Sequence, residues 1–255
     1  MSRDMAKDFL KGGDFCEKKQ VPKYVSLYEM RAMVLRETVA LLLEQGYTKT
    51  TIAQIAGRLN RTKSAVLRVY KDKEAILFAL VTHMFGSQFS RARELLGADA
   101  DPLLVYGVET ALQLHICELS ESLRDIYVNA YTLPSTAEYI YQQTSTELCK
   151  IFAPYMPEAS ESDFYELEIA SASVMRGYMT RLCDMYFPIA KKIRVFLTCE
   201  LKIYDVPADK REAVIKQILQ MDIETMAKNI IAQTVRVAEA GFDAATLEAV
   251  DQKRK

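Results

Sequence analysis

Only two histidines occur in the 255 residues, His83 and His115, and neither has cysteines or carboxylates around it at metal-ligand spacing. A Glu-x-x-His pair of the kind that builds a dimetal carboxylate site is missing, as are a glycine-rich phosphate loop and a nucleophile elbow. No catalytic residue, cofactor or metal is therefore expected, although all-helical chains of this size do include enzymes. No run is long and apolar enough to span a bilayer, so no membrane partner is expected. The N-terminal MSRDMAKDFLKGG carries charge on both sides of a very short apolar patch, unlike a secretory signal. Five cysteines, Cys16, Cys117, Cys149, Cys183 and Cys199, are odd in number and never closely paired. That pattern points to free thiols in a reducing compartment, the cytoplasm, and leaves redox sensing by one of them open. Glycine and proline are scarce, at nine and seven residues, and no strand pattern, repeat or low-complexity tract competes with helical periodicity. The fold class is all-α.

What is present is concentrated between Met30 and Leu80, where three helical periods lie back to back. A first helix from Tyr28 to Gln45 turns Met30, Val34, Thr38, Leu41 and Leu42 inward, and Gly46 supplies its stop. In the second, Ile52, Ile55, Ala56 and Leu59 fall at i, i+3, i+4 and i+7, one face of a helix. Asn60 suits the tight turn that follows, because asparagine tolerates the left-handed conformation better than other non-glycine residues. Thr62 then caps a third helix whose Val66 and Tyr70 face inward. This is the outline of a helix-turn-helix. Lys63 and Leu67, and Ser64 and Arg68, are i, i+4 neighbours on its outer face, where they can reach base edges in a major groove.

Charge agrees with a DNA partner. From Met1 to Ala75 there are 15 Lys and Arg against 9 Asp and Glu, a balance of +6; the remainder has 18 against 25, a balance of −7. An isolated basic cluster is usually a solvated face, but this one coincides with the helix-turn-helix. Lys49, Arg61, Lys63, Arg68, Lys71 and Lys73 are its candidates for phosphate neutralisation.

The same segment resembles the TetR-type bacterial transcriptional repressors from about Val34 to Leu77, without gaps. Glu44 and Gly46 end the first helix, and Tyr47 and the pair Thr50 and Thr51 follow. Ile55 and Ala56 mark the second helix, Thr62 caps the third, Tyr70 closes it, and Lys73 and Glu74 open a fourth. The turn departs from the family's Ala-Gly-Val, having Leu59, Asn60 and Arg61 instead. Leu67 stands where the family commonly has a phosphate-binding tyrosine, and Val69 where it often has histidine. Leu67 has two readings, contact with a thymine methyl or sugar, and a partly packed surface leucine. The resemblance implies a double-stranded DNA operator as partner, with Lys63, Ser64 and Arg68 near bases. It places Thr50, Thr51, Arg61, Thr62 and Lys73 at the same interface, with Thr51, Arg61 and Lys73 on phosphates.

The expected organisation is an N-terminal arm or extra helix (1–26), a three-helix DNA-binding domain (27–74) and a larger helical ligand-binding and dimerisation domain (75–255). Six of the seven prolines punctuate the last. Its helices are expected from Asp72 to Leu96, Pro102 to Glu118, Ser120 to Leu133, Thr136 to Phe152, Ser162 to Phe187, Ile189 to Tyr204 and Ala208 to Ala240. Ile76, Leu77, Leu80, Met84 and Phe85 would line the inner side of the first, the mechanical link to the head. Ten of the 14 tyrosines lie beyond residue 100, and a pocket for an unknown small-molecule effector could use Tyr106, His115, Tyr127, Tyr131, Met175, Tyr178 and Met179. Arg176 and Arg181 could meet an anionic effector or pair with nearby carboxylates. A nearly seven-residue stripe of Phe164, Leu167, Ser171, Val174, Tyr178 and Met185, with Gly177 beside it, is expected at a homodimer interface or packed within its own subunit. The function these features point to is a ligand-released repressor. The alternatives are a DNA-organising or protein-interaction protein on the same fold, and an all-helical enzyme.

Overall fold

The structure, a computed structural model, describes residues 25–84, 88–97 and 99–241. Most of the expected N-terminal arm, Cys16 and Phe85 lie outside the described residues. Among those described there are twelve helices and no strand. None of these helices is long and apolar enough to cross a membrane.

Helix α1 (Leu27–Lys49) begins at a capping box. The Ser26 hydroxyl accepts from the Glu29 amide at 3.1 Å, and the Glu29 carboxylate accepts from the Ser26 amide at 2.7 Å. The regular helix breaks at Gly46, whose φ of 82° places it in the left-handed region. Met30, Val34, Thr38, Leu41 and Leu42 are all buried, as their spacing predicts. Helices α2 (Ile52–Arg58) and α3 (Lys63–Val69) have seven residues each, too few to be stable alone. Burial of Ile55, Ala56, Leu59, Val66 and Tyr70 in the core shared with α1 holds them.

The link helix expected to run to Leu96 is described in two pieces, α4 (Lys73–Met84) and α5 (Gln88–Leu96). Ile76, Leu77 and Leu80 are buried as expected. Helix α6 (Pro102–Leu119) has 14 of its 18 residues buried, which makes it the central helix of the second domain. Around it pack α5, α7 (Glu121–Ala130), α8 (Pro134–Phe152), α9 (Glu161–Thr180), α10 (Ile189–Ile203), α11 (Ala208–Ile218) and α12 (Ile223–Gly241).

Two expected helices are shorter than their patterns suggest. Helix α9 stops at Thr180 instead of Phe187, because the Asp184 carboxylate accepts from the Tyr186 and Phe187 amides, each at 2.8 Å. Such local bonds compete with helix, and Pro188 biases Phe187 away from helical backbone as well. The expected helix from Ala208 to Ala240 breaks after Ile218 and restarts at Ile223, where Asp222 accepts from the Thr225 amide at 3.1 Å. Neither glycine nor proline marks that break.

Candidate functional site

The turn between α2 and α3 is built by its backbone. Asn60 adopts φ of 51°, the Asn60 amide donates to the Gly57 carbonyl at 3.0 Å, and the Arg61 amide donates to the Ala56 carbonyl at 2.9 Å. Together these bonds form a Schellman closure of α2, with asparagine in the position that glycine usually takes. The Thr62 hydroxyl then accepts from the Ala65 amide at 3.2 Å and starts α3. Val66 is fully buried, while Thr62, Lys63, Ser64, Leu67 and Arg68 are exposed on the opposite side. With Leu67 43% exposed, the partly packed reading does not remove it from the outer face.

Other expected DNA contacts are held differently. Thr50 is buried, and its hydroxyl donates to the Gly46 carbonyl at 2.7 Å while its amide donates to the Tyr47 carbonyl at 3.1 Å. Both donors close the end of α1, which corrects its place at the interface. Thr51 is exposed and caps α2: its hydroxyl accepts from the Gln54 amide at 3.2 Å, and the Gln54 side chain accepts from the Thr51 amide at 2.9 Å. Arg61 is half-buried. Lys73 donates to the Tyr47 carbonyl at 2.8 Å and lies 3.9 Å from the centre of the Tyr47 ring, so its ammonium serves the junction of α1 and α4. Burial lowers its pKa, against the pull of Asp125. Arg58, on the outer side of α2, is paired with Glu44.

The second domain grips this head through α7, whose packing on α1 is more extensive than any other helix pair. Asp125 accepts from the Thr48 amide at 2.6 Å and from the Thr48 hydroxyl at 2.7 Å. Ser122 donates to the Leu43 carbonyl at 2.8 Å. A Cβ at Gly46 would stand 2.6 Å from the Asp125 carboxylate, so glycine is needed here for close approach as well as for its φ. The Ser135 hydroxyl adds a bond to Glu74 at 2.7 Å. Sequence reasoning missed this clamp, since an aspartate on an amphipathic helix carries no mark of a partner 77 positions away.

A polar cavity of about 280 Å³ lies between α5 and α8, lined by Arg93, Tyr139, Gln143 and Glu147 among others. Two further cavities adjoin α6. The larger of these, about 140 Å³, is mostly apolar and runs between α1, α4, α6, α7 and α12; Arg91, Glu109, Gln113, Tyr127 and Thr234 are its polar lining. The smaller, about 20 Å³, is lined by Tyr106, Glu109, Thr110, Gln113, Tyr131, Glu168, Ser171 and Met175 among others. Of the tyrosines and methionines expected to meet a ligand, Tyr127 lines the larger of these, and Tyr106, Tyr131 and Met175 line the smaller. His115, Tyr178 and Met179 line neither. His115 lies towards Glu118, Asp222 and Glu224, and burial lowers its pKa against them. Tyr178 packs edge-on to Phe196 at 5.5 Å, and Met179 is fully buried core. Arg181 pairs with Asp184 at 2.6 Å, and Arg176 is exposed.

The small cavity belongs to a buried acidic group that the sequence reading did not single out. Glu109, Glu168 and Glu200 are all buried. The Glu109 carboxylate accepts from Gln113 at 2.6 Å; Glu200 accepts from Tyr106 at 2.8 Å and Ser171 at 2.6 Å. Glu168 accepts from Tyr204 at 3.4 Å. Burial pushes the pKa of Glu109 and of Glu200 up to about 7. Burial, with help from the other two carboxylates, also raises that of Glu168 well above the usual carboxylate range. A signal was available in each case: a glutamate on an otherwise apolar helical face.

The stripe on α9 also needs correcting. Phe164 and Ser171 are buried inside their own subunit, Leu167, Val174 and Tyr178 are half-buried, and Gly177 is exposed. Met185 is 83% exposed but belongs to the loop after α9. The apolar residues that do face outward nearby are Ile169, Leu182, Tyr186 and Val195.

No curated protein matches the chain. Residues 34–80 match the family model for bacterial regulatory proteins, tetR family, a span that runs from within α1 through α2 and α3 into α4. Helix order, turn and match agree that this part of the chain is a helix-turn-helix DNA-binding domain similar to that of the tetR-family regulators.

Proposed function

We propose that the chain is a cytoplasmic repressor that sits as a homodimer on a palindromic operator and is released when a small molecule enters the second domain. The observation that carries this reading is the division of α3. Val66 and the following Tyr70 anchor it in the core, while Lys63, Ser64, Leu67 and Arg68 project from its exposed side beyond a capped N-terminus. Such a helix reads a few base pairs in a major groove, and two heads about 34 Å apart read a palindrome on one face of the duplex. Exposed Thr51 and Thr62, and Arg61 beside the turn, would lie along the flanking phosphates.

Dimerisation is assigned to the outward side of α9 and α10. Ile169, Ala170, Ser173 and Gly177 lie along exposed α9, with Val195 on α10 and Leu182, Met185 and Tyr186 in the intervening loop. Small residues there allow close helix approach, and a two-fold axis through this face would bring it against its own copy.

Release requires that the ligand prefer one of two arrangements of the heads. Helix α7 supports such coupling. Leu123, Ile126, Tyr127 and Ala130 face the larger cavity, while Ser122 and Asp125 on the same helix hold α1. A shift of α7 caused by a ligand therefore reaches the head directly.

The test is selection of bound fragments from random DNA by the purified protein, followed by titration of the recovered site. A palindromic consensus is expected. Lys63→Ala and Arg68→Ala should each cost about 1–3 kcal/mol and relax preference at particular base pairs. Salt-sensitive binding without a consensus would favour a DNA-organising protein, and unchanged affinity in both variants would remove α3 from the interface.

A further inference from the structure

We propose that the second-domain cavity takes a small organic cation, an amine with an apolar body of about one ring, whose ammonium lies against Glu109. The proposal rests on the ligand-responsive reading above and names the ligand class of that site.

Glu109 and Gln113 line both cavities and so form the wall between them. On one side lies apolar space of about 140 Å³, close to the size at which an apolar cavity accepts benzene. On the other lies the polar group formed by Tyr106, Tyr131, Glu168, Ser171 and Glu200. Glu200 meets Tyr106 and Ser171 through Oε2, whereas its buried Oε1 has no hydrogen-bond partner. Among the described residues, no ion pair includes Glu109, Glu168 or Glu200. Elsewhere in the domain a buried charge is matched: Lys192, also fully buried, is held by Glu118 at 2.6 Å. Three buried carboxyls without a cation are a costly arrangement, and they lie at and behind one end of an apolar cavity.

An entering ammonium supplies the missing charge. Glu109 ionises readily near neutral pH when it arrives, because burial has raised its pKa only to about 7. Among the described residues, Arg91 is the one basic residue in the cavity lining, and its Nη1 is bonded to Thr234 at 2.9 Å. A carboxylate ligand could meet Arg91, but it would share the cavity with Glu109 and face the other two carboxyls behind it. The charge balance favours the cation.

Three single-ring probes of similar size separate these outcomes: phenethylamine, 2-phenylethanol and 3-phenylpropionate, titrated calorimetrically into the full-length protein at neutral pH. The amine is expected to bind about tenfold or more tighter than the alcohol, the worth of a hydrogen bond to a charged group. Glu109→Gln should abolish that preference while changing the alcohol's affinity less than about threefold. Glu200→Gln, which removes an uncompensated buried carboxyl, should raise the melting temperature of the ligand-free protein and narrow the preference; it serves if the first variant does not fold. Equal or tighter binding of the alcohol or the carboxylate overturns the proposal, as does an unchanged preference in both variants. Operator binding by the same preparations without a probe keeps the two readings apart. Intact DNA binding with no amine preference rejects the ligand class alone, whereas absent DNA binding rejects the regulator.

Discussion

The head and the second domain place their polar chemistry on opposite sides of their helices. In the head the interior is almost wholly apolar; Thr38 and Thr50 are its buried polar residues, and each hydroxyl is spent on a backbone carbonyl one turn back. The groups proposed to meet bases, Lys63, Ser64 and Arg68, face outward. In the second domain the surface is acidic and less distinctive, and the unusual groups are inside: Glu109, Glu168, Glu200 and Lys192. A surface that reads a large polyanion needs exposed cations on a rigid support, and the rigid support is an ordinary core. A site that holds a small molecule must instead keep polar groups out of water, where they cost stability until the ligand arrives.

That contrast makes stability against pH the largest expected difference. Glu200 has its folded pKa raised from 4.5 to about 7, so its contribution to stability is present in full below 4.5 and is lost as pH rises through about 7. Glu109 has the same sign. His115 works the other way, because burial lowers its pKa below 6.5 and its contribution appears as pH rises. The carboxyl effect is therefore read as a difference: between about pH 5 and about pH 8, wild type should lose on the order of 1–3 kcal/mol relative to Glu200→Gln in urea unfolding. Parallel curves would mean that Glu200 does not titrate differently on folding, and the contrast between the two interiors would collapse.

The same difference explains what could be read without coordinates. The spacing of Ile52, Ile55, Ala56 and Leu59, the asparagine at the turn and the Thr62 cap are local signals, and the head appears where they put it. Helix α6 was equally plain from its apolar run. By contrast, the role of Thr50 is not legible locally, because a threonine beside an interface and one that closes a helix look alike in sequence. The helix end at Thr180 depended on bonds from Asp184 to its own loop. Which side of α9 faces out depended on where α8 and α10 lie, and heptad spacing alone does not settle that. Glu109, Glu168 and Glu200 come from three helices, so their meeting is a tertiary fact, though each glutamate interrupts an apolar face.

A smaller effect tests the joint between the two regions. Asp125→Ala removes the carboxylate that receives the Thr48 amide and hydroxyl and leaves both donors to water. The loss should be about 1–2 kcal/mol of stability, since the site is exposed enough for solvent to replace part of it. The informative readout is not stability but coupling. If α7 carries the signal, the variant should still bind both operator and ligand, while the ligand's effect on operator affinity shrinks several-fold. Full retention of coupling would move the transmission to α4, whose Glu74 is bonded to Ser135.

The smallest effect separates charge that can serve DNA from charge already committed within the protein. Lys71 is exposed at the end of α3, and among the described residues it has no ion pair. Arg58 is on the outer side of α2 but is held by Glu44. If phosphate neutralisation supplies the sequence-independent part of binding, Lys71→Ala should weaken all DNA sequences by a similar few-fold factor and reduce the salt slope by about 1. Arg58→Ala should leave the slope nearly unchanged, because Arg58 and Glu44 together present almost no net charge to the duplex. Measuring operator affinity at several salt concentrations decides it: equal slopes for the two variants would show that the pair with Glu44 opens on DNA, and that the head's positive face extends back over α2.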